Sequence, residues 1–489
     1  MVFSSILFLY AFLPANLICY FAAKTIKTRN IILLLFSLVF YAWGEPVYVL
    51  ILIFMSLMCW LFSLKIDRSK SAPERKLWMA AAALVCIGSI AWFKYAGFIA
   101  QNINSLTGGD FLPVPSVALP IGISFYTFQL LTYVVDVYRG EVGAQKSYWK
   151  VLLYAGLFHQ CVAGPIVRYG DIENELTERQ SDITEISRGI TRFAFGLGKK
   201  AIFANGCGAV VDALLLSDSA IGNAAAISEN LSLIEGRSVI TLWAGMAFYM
   251  LQIYLDFSAY SDMAIGLGLM CGFHYKENFD YPYMSVSVTE FWRRWHISLG
   301  TFFRDYVYIP LGGNRRGKLR QIFNLFAVWA LTGLWHGAAW NFVLWGLYFF
   351  ALLLLEKFVI GNFLKKHRAI GRLYLLTAVY FGWVLFKFSD MRLLAAVFRG
   401  MFRLNGNAFS SYEAFSFLGG YIFFFILACI ASTPAVKKLG GIMKAIGTKN
   451  LAANILCRAG DCLIPAALIV ISTLSLVGDS YNPFLYFQF

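Results

Sequence analysis

The feature that most constrains this chain is a succession of apolar runs of bilayer length, parted by short loops that hold much of its Lys and Arg. About 20 apolar residues in helical form cross the hydrocarbon core of a membrane. Such runs lie at about residues 3–22, 31–43, 47–64, 77–100, 117–135, 193–216, 239–273, 322–338, 341–357, 373–388, 417–433 and 463–478. Composition agrees: 59% of residues are hydrophobic and 14% charged, with a mean hydropathy of +0.65. Soluble domains run at about 45–50% apolar and about 25% charged. The chain reads as an all-α polytopic membrane protein of about ten to twelve membrane segments. It forms one integral-membrane domain over 1–489 with no soluble appendage. No repeat of 20–50 residues is evident, nor the two-fold hydropathy symmetry of many transporters.

The first run, MVFSSILFLYAFLPANLICY, lacks a basic n-region and a small-residue cleavage site, so it reads as a retained span. The net charge of +14 would point to nucleic acid in a soluble protein. Here the basic residues sit mainly in loops between spans, where they follow the positive-inside bias. That bias places the N-terminus outside, loops 24–30 and 65–76 in the cytoplasm, and the Lys/Arg-free loop 101–116 outside. The nine cysteines form no disulfide framework and no zinc pattern; most lie in apolar runs, and Cys457 and Cys462 lack paired ligand sets. No metal site and no permanently bound cofactor are expected.

Three stretches break the pattern. Residues 148–166, YWKVLLYAGLFHQCVAGPI, are apolar between charged flanks that both read as cytoplasmic, so they form a re-entrant or partly inserted helix. Irregular backbone at such depth must be buried in protein or line a cavity. The polar stretch 168–192 carries an amphipathic helix near 182–195. The run 239–273 is interrupted by LDFSAYSD.

Residues 276–320 are basic, aromatic and cytoplasmic by charge, and they lead into LTGLWHGAAW. His336 in that run is an ionisable group inside the membrane, which marks a functional site by default. Thr332, Gly333, Gly337 and two Trp surround it, and the small residues open space beside it. A neutral imidazole there can accept a proton from a hydroxyl; the bland alternative is a buried histidine bonded to a carbonyl. His296 lies in EFWRRWHISL, where an interfacial helix is the simpler reading. Arg293, Arg294, Arg304 and Arg315, with Arg316, Lys318 and Arg320, could hold the phosphates of a nucleotide-like donor. Positive-inside anchoring serves equally well for each. For Asp136, Asp256 and Asp262 a structural ion pair is the better reading. Lys94 can snorkel, His159 reads as structural, and His274 and His367 carry no functional signal.

The residues from Trp292 to His296, FRDYVYIPLGGNR at 303–315 and LTGLWHG at 331–337 resemble the membrane-bound O-acyltransferase superfamily. PIGISFYTFQ at 120–129, LDFSAYSDMAIG at 255–266 and the terminal PFLYFQF are similar to its bacterial branch of alginate, peptidoglycan and other polysaccharide O-acetyltransferases. The resemblance covers essentially the whole chain. It implies that His336 is the catalytic histidine and His296 the second signature position, which is Asn or His across the superfamily. It implies a ring of helices around a central funnel, thinned at its centre, in the bacterial inner membrane. Through the funnel an acetyl group would pass from a cytoplasmic thioester, expected to be acetyl-CoA, to an acceptor at the outer face. A periplasmic or extracellular partner acetyltransferase or acceptor protein would then modify the polymer. D-alanyl transfer to teichoic acid within the same superfamily, and polysaccharide or lipid transport outside it, are the alternatives.

Overall fold

The computed structural model describes residues 1–217, 223, 226–448, 451–478 and 485, and every regular element among them is helical. The terminal PFLYFQF stretch, apart from Leu485, lies outside the described residues. Among the described residues, eight helices are long and apolar enough to cross a membrane: Ile26–Gly44, Val49–Arg68, Ala72–Thr107, Val239–Met270, Trp340–Lys366, Arg368–Lys387, Ala414–Ala431 and Leu451–Gly478. Phe8–Ala22 is a shorter apolar helix. Ile123–Arg139 and Lys318–His336 are further helices of 17 and 19 residues. The expected total of about ten to twelve had counted shorter and partly inserted segments with the full spans.

Several boundaries move. The expected break at LDFSAYSD is absent: Val239–Met270 is one helix of 32 residues. Its carboxylates are met by cations instead of by unwinding. Asp256 lies 2.7 Å from Lys200, and Asp262 lies 2.6 Å from Arg192. Both pairs are the structural ion pairs expected for these aspartates. The separate amphipathic helix and span expected at 182–216 are one helical run, Ile183–Gly198, Lys199–Ala204 and Asn205–Leu214. Its middle piece is a π-turn, a form common as a single bulge within α-helices. The basic loop expected between the last two spans is itself helical, Ala435–Gly447, because its lysines alternate with apolar residues at helical spacing.

The chain divides into two compact units. The first comprises Met1–Phe193 and Tyr260–Glu277. In it the segment expected to insert partway is a nine-residue helix, Tyr148–Gly156, followed by irregular backbone, and residues 151–167 are all buried. Buried loops must satisfy their polar groups. The Ser37 hydroxyl accepts from the Phe158 N–H, and the Gln160 amide donates to the Tyr154 carbonyl. Gly122, at φ +76°, lets its helix start directly against this segment: a Cβ there would lie 2.4 Å from the Cys161 carbonyl oxygen. Buried Arg179 donates to the Tyr20 hydroxyl, the Cys271 carbonyl and the Asn30 side chain, tying three distant parts of the unit together. His159 is buried and bonds to the Tyr275 hydroxyl at 3.2 Å, consistent with a structural role.

His274 carried no signal in the sequence, yet it links three segments of this unit. Its ring nitrogens lie 2.8 Å from Glu175 and 2.9 Å from Glu185. The hydrogen bond to Glu185, followed by that to Glu175, raises its pKa above the usual 6.5 despite partial burial. A histidine favoured as the cation in the fold stabilises fully below its unfolded pKa of about 6.5, and that contribution fades as pH rises through the higher folded value. Hydrogen exchange across 271–277, corrected for intrinsic rates, should therefore accelerate on the alkaline side of neutrality. His274→Gln should remove that dependence; an identical pH profile in the two proteins would refute the clamp.

The second unit comprises Ala194–Ala259 and the described residues of 278–485. Its central feature is the hairpin of Lys318–His336 and Trp340–Leu355. Small residues allow close backbone approach between membrane helices. A Cβ on Gly333 would lie 2.5 Å from the Phe342 carbonyl oxygen, and one on Gly346 2.5 Å from that of Trp329. The Gly333 contact lies within the last turn of the first helix, which ends on His336.

Candidate functional site

The local sequence builds the His296 side of the site from a broken helix. Ser287 caps Val288–Arg294 by accepting from the Glu290 N–H, and the Glu290 carboxylate accepts from the Val286 N–H. This is a variant of the reciprocal capping box. From the next transmembrane helix, buried Glu356 accepts the N–H groups of Val288 and Thr289 and the Thr289 hydroxyl. The helix stops at Trp295. His296 takes left-handed backbone angles, φ 46° and ψ 55°, and a second helix, Ile297–Phe303, begins after it. Such a conformation in a non-glycine residue costs on the order of 1–2 kcal/mol and persists only when its surroundings enforce it.

Asn278 supplies much of that enforcement. Its backbone carbonyl accepts the Ile297 N–H at 3.0 Å. Its side-chain oxygen accepts the Ser298 N–H at 3.1 Å and the Ser298 hydroxyl at 2.9 Å, and lies 3.3 Å from His296 Nδ1. His296 is 1% exposed, and burial pushes its pKa down to about 3, so the ring is neutral at physiological pH.

His336 occupies the end of its helix and is also buried. Its ring packs on Trp335, Trp345 and Phe386, with centroids 4.9, 4.8 and 5.2 Å away. The His296 ring lies 5.8 Å from Trp335 and 4.8 Å from Phe257. Trp335 thus contacts both histidines. Around them Trp292 meets Trp329 at 5.0 Å and Trp345 at 5.4 Å, while Trp295 meets Trp383 at 4.9 Å. Six of the chain's 13 tryptophans belong to this cluster. Large edge-to-face aromatics give rigid, water-poor packing. Two imidazoles held in such surroundings are equipped for proton transfer at a site where bulk water competes poorly.

The arginines are less uniform than their spacing suggested. Arg294 pairs with Glu290 at 2.9 Å and with Asp280 at 3.6 Å, and Arg304 pairs with Asp305 at 2.6 Å. Arg293 and Arg315 are solvent-exposed. Sequence reasoning missed Asn278, one polar residue in a polar loop with no periodicity to mark it. It also missed Glu356, although a carboxylate closing a long apolar run is itself a signal.

Two buried histidines on one indole in a helical membrane protein are an arrangement suited to a membrane-embedded enzyme. Residues 139–398 match the family described as MBOAT, membrane-bound O-acyltransferase family. The chain is 33% identical to "Probable alginate O-acetylase AlgI" of Pseudomonas putida, over 100% of both chains. It is 28% identical to the "Peptidoglycan O-acetyltransferase" of Helicobacter pylori, over 100% of this chain and 98% of the relative. Similarity to the "Teichoic acid D-alanyltransferase" of Bacillus subtilis is 26% and spans 49% of this chain and 59% of that one. The chain belongs to the membrane-bound O-acyltransferase family, in its bacterial O-acetyltransferase branch, and is a multi-pass O-acyltransferase.

Proposed function

We propose that this enzyme transfers an acetyl group from a cytoplasmic thioester, acetyl-CoA, through a central channel to an acceptor at the outer face of the bacterial inner membrane, for O-acetylation of a cell-surface polysaccharide such as alginate. The observation that carries the reading is the burial of His336 and His296 around Trp335, in a chain similar along its whole length to proteins named as alginate O-acetylases. The half-length likeness to D-alanyltransferases favours acetyl over D-alanyl transfer.

In this mechanism His336 is the general base. It takes the proton of the acceptor hydroxyl as the oxygen attacks the thioester carbonyl. Collapse of the tetrahedral intermediate breaks the carbon–sulfur bond, and the thiolate leaves with the proton returned from the imidazolium. Only the neutral acetyl group crosses, while the charged remainder of coenzyme A stays at the cytoplasmic face. Arg293 and Arg315, exposed to solvent, are better placed to hold its phosphates than Arg294 and Arg304, which already face carboxylates. A periplasmic or extracellular protein receives the acetyl group or passes it to the polymer.

The test is deletion of the gene followed by measurement of O-acetyl groups on the extracellular polysaccharide, with re-expression as control. Loss of acetyl signal with unchanged polymer export is expected. Full acetylation in the deletion strain would overturn the proposal, and loss of D-alanine esters in place of acetyl esters would redirect it to teichoic acid.

A further inference from the structure

We propose that Asn278 is a positioning residue that holds His296 in its Nδ1–H tautomer and thereby makes Nε2 the basic nitrogen of the ring. The inference deepens the proposed acetyl transfer and rests on that reading of His296 as part of the site.

The backbone N–H of Ser298 points to one terminal atom of the Asn278 side chain at 3.1 Å. A backbone N–H can only donate, so that atom is the carboxamide oxygen and not its nitrogen. The Ser298 hydroxyl lies 2.9 Å from the same oxygen but 3.4 Å from His296 Nδ1, so its proton is directed to Asn278. His296 Nδ1 lies 3.3 Å from the oxygen. An oxygen offers only lone pairs, and a neutral imidazole carries its proton on one nitrogen. Placing that proton on Nε2 would set the Nδ1 lone pair against the Asn278 oxygen in a buried site, where opposed acceptors are costly. Placing it on Nδ1 removes that opposition and adds a third, longer hydrogen bond to the oxygen beside the two from Ser298.

The same residue fixes the backbone. The Asn278 carbonyl holds the Ile297 N–H at 3.0 Å, so tautomer and left-handed turn are set by one side chain and its own peptide. The second group on a histidine commonly decides which nitrogen does the chemistry. Here that group is a neutral amide, which orients the ring without bringing a charge into the aromatic cluster.

The test reads the tautomer directly. The chain has five histidines, so nitrogen NMR of selectively labelled protein in detergent, with His296→Gln to assign the resonance, is tractable. The wild-type ring is expected to show a protonated Nδ1 and an unprotonated Nε2. Asn278→Leu should move protonation toward Nε2 and lower kcat at least tenfold while changing KM little. Asn278→Asp, which keeps the acceptor, should restore the Nδ1–H signature and recover part of that loss. A protonated Nε2 in the wild type, or unchanged nitrogen signals in Asn278→Leu, would overturn the proposal. If Asn278→Leu does not fold, the wild-type and Asn278→Asp spectra decide it. The spectra do not depend on turnover, so failure of the acetyl-transfer reading would be seen separately, as activity surviving loss of His336.

Discussion

His336→Gln is expected to lower acetyl transfer by about a hundredfold to ten-thousandfold, the range that a positioned general base typically contributes. Glutamine is chosen because His336 is packed against Trp335, Trp345 and Phe386 and is only 6% exposed. Alanine would open a cavity among those rings, and large-to-small changes in a core cost several kcal/mol on their own. Glutamine keeps most of the volume and the hydrogen-bonding capacity but cannot cycle a proton near neutrality. Chemistry is then separated from packing. The measurement pairs polymer O-acetyl content with the amount of protein in the membrane fraction. Normal acetylation by His336→Gln at normal abundance would remove His336 from the mechanism.

Lys200→Met should destabilise the protein by about 3–5 kcal/mol, the usual effect of stripping one partner from a buried ion pair. The Lys200 side chain is 4% exposed and that of Asp256 2%, with 2.7 Å between their charged atoms. Removing the ammonium leaves a buried carboxylate whose other oxygen accepts the Leu485 N–H at 2.9 Å. A protein of marginal stability loses much of its folded population to such a change. Activity should fall as well, because Asp256 is followed by Phe257, whose ring packs 4.8 Å from His296. Adding Asp256→Asn should recover most of the stability: the amide removes the stranded charge and still offers an oxygen to Leu485. Thermal unfolding of the purified proteins in detergent checks both statements. A single variant as stable as the wild type, or a double variant no better than the single, would contradict this account.

The long helices were legible in the sequence because lipid imposes one rule on every spanning segment, and hydropathy reads that rule directly. The misread break at LDFSAYSD has the opposite cause. Asp256 and Asp262 look like interruptions along the chain, and only the distant Lys200 and Arg192 make them compatible with a continuous helix. Ion pairs between segments far apart in sequence leave no local signature. The same holds in the site. His336 stood out as an ionisable residue in an apolar run, and the resemblance to acyltransferases singled out His296. Asn278 and Glu356 act through backbone groups and a neighbouring ring, and nothing in a linear reading joins residue 278 to 296 or 356 to 288. The arginine cluster shows a further effect that spacing alone does not reveal. Spacing grouped seven basic residues, while the structure commits Arg294 and Arg304 to adjacent carboxylates.

The left-handed turn at His296 has a consequence for which residues the position can accept. At φ 46° a β-branched side chain would be badly strained, and alanine would lose backbone stability for reasons unrelated to proton transfer. Asparagine and histidine are among the few non-glycine residues enriched in that conformation. The alternation of Asn and His implied at this position by the resemblance thus has a conformational explanation that requires no shared chemistry. The turn filters candidates by backbone shape first, and catalysis can select only among those that pass.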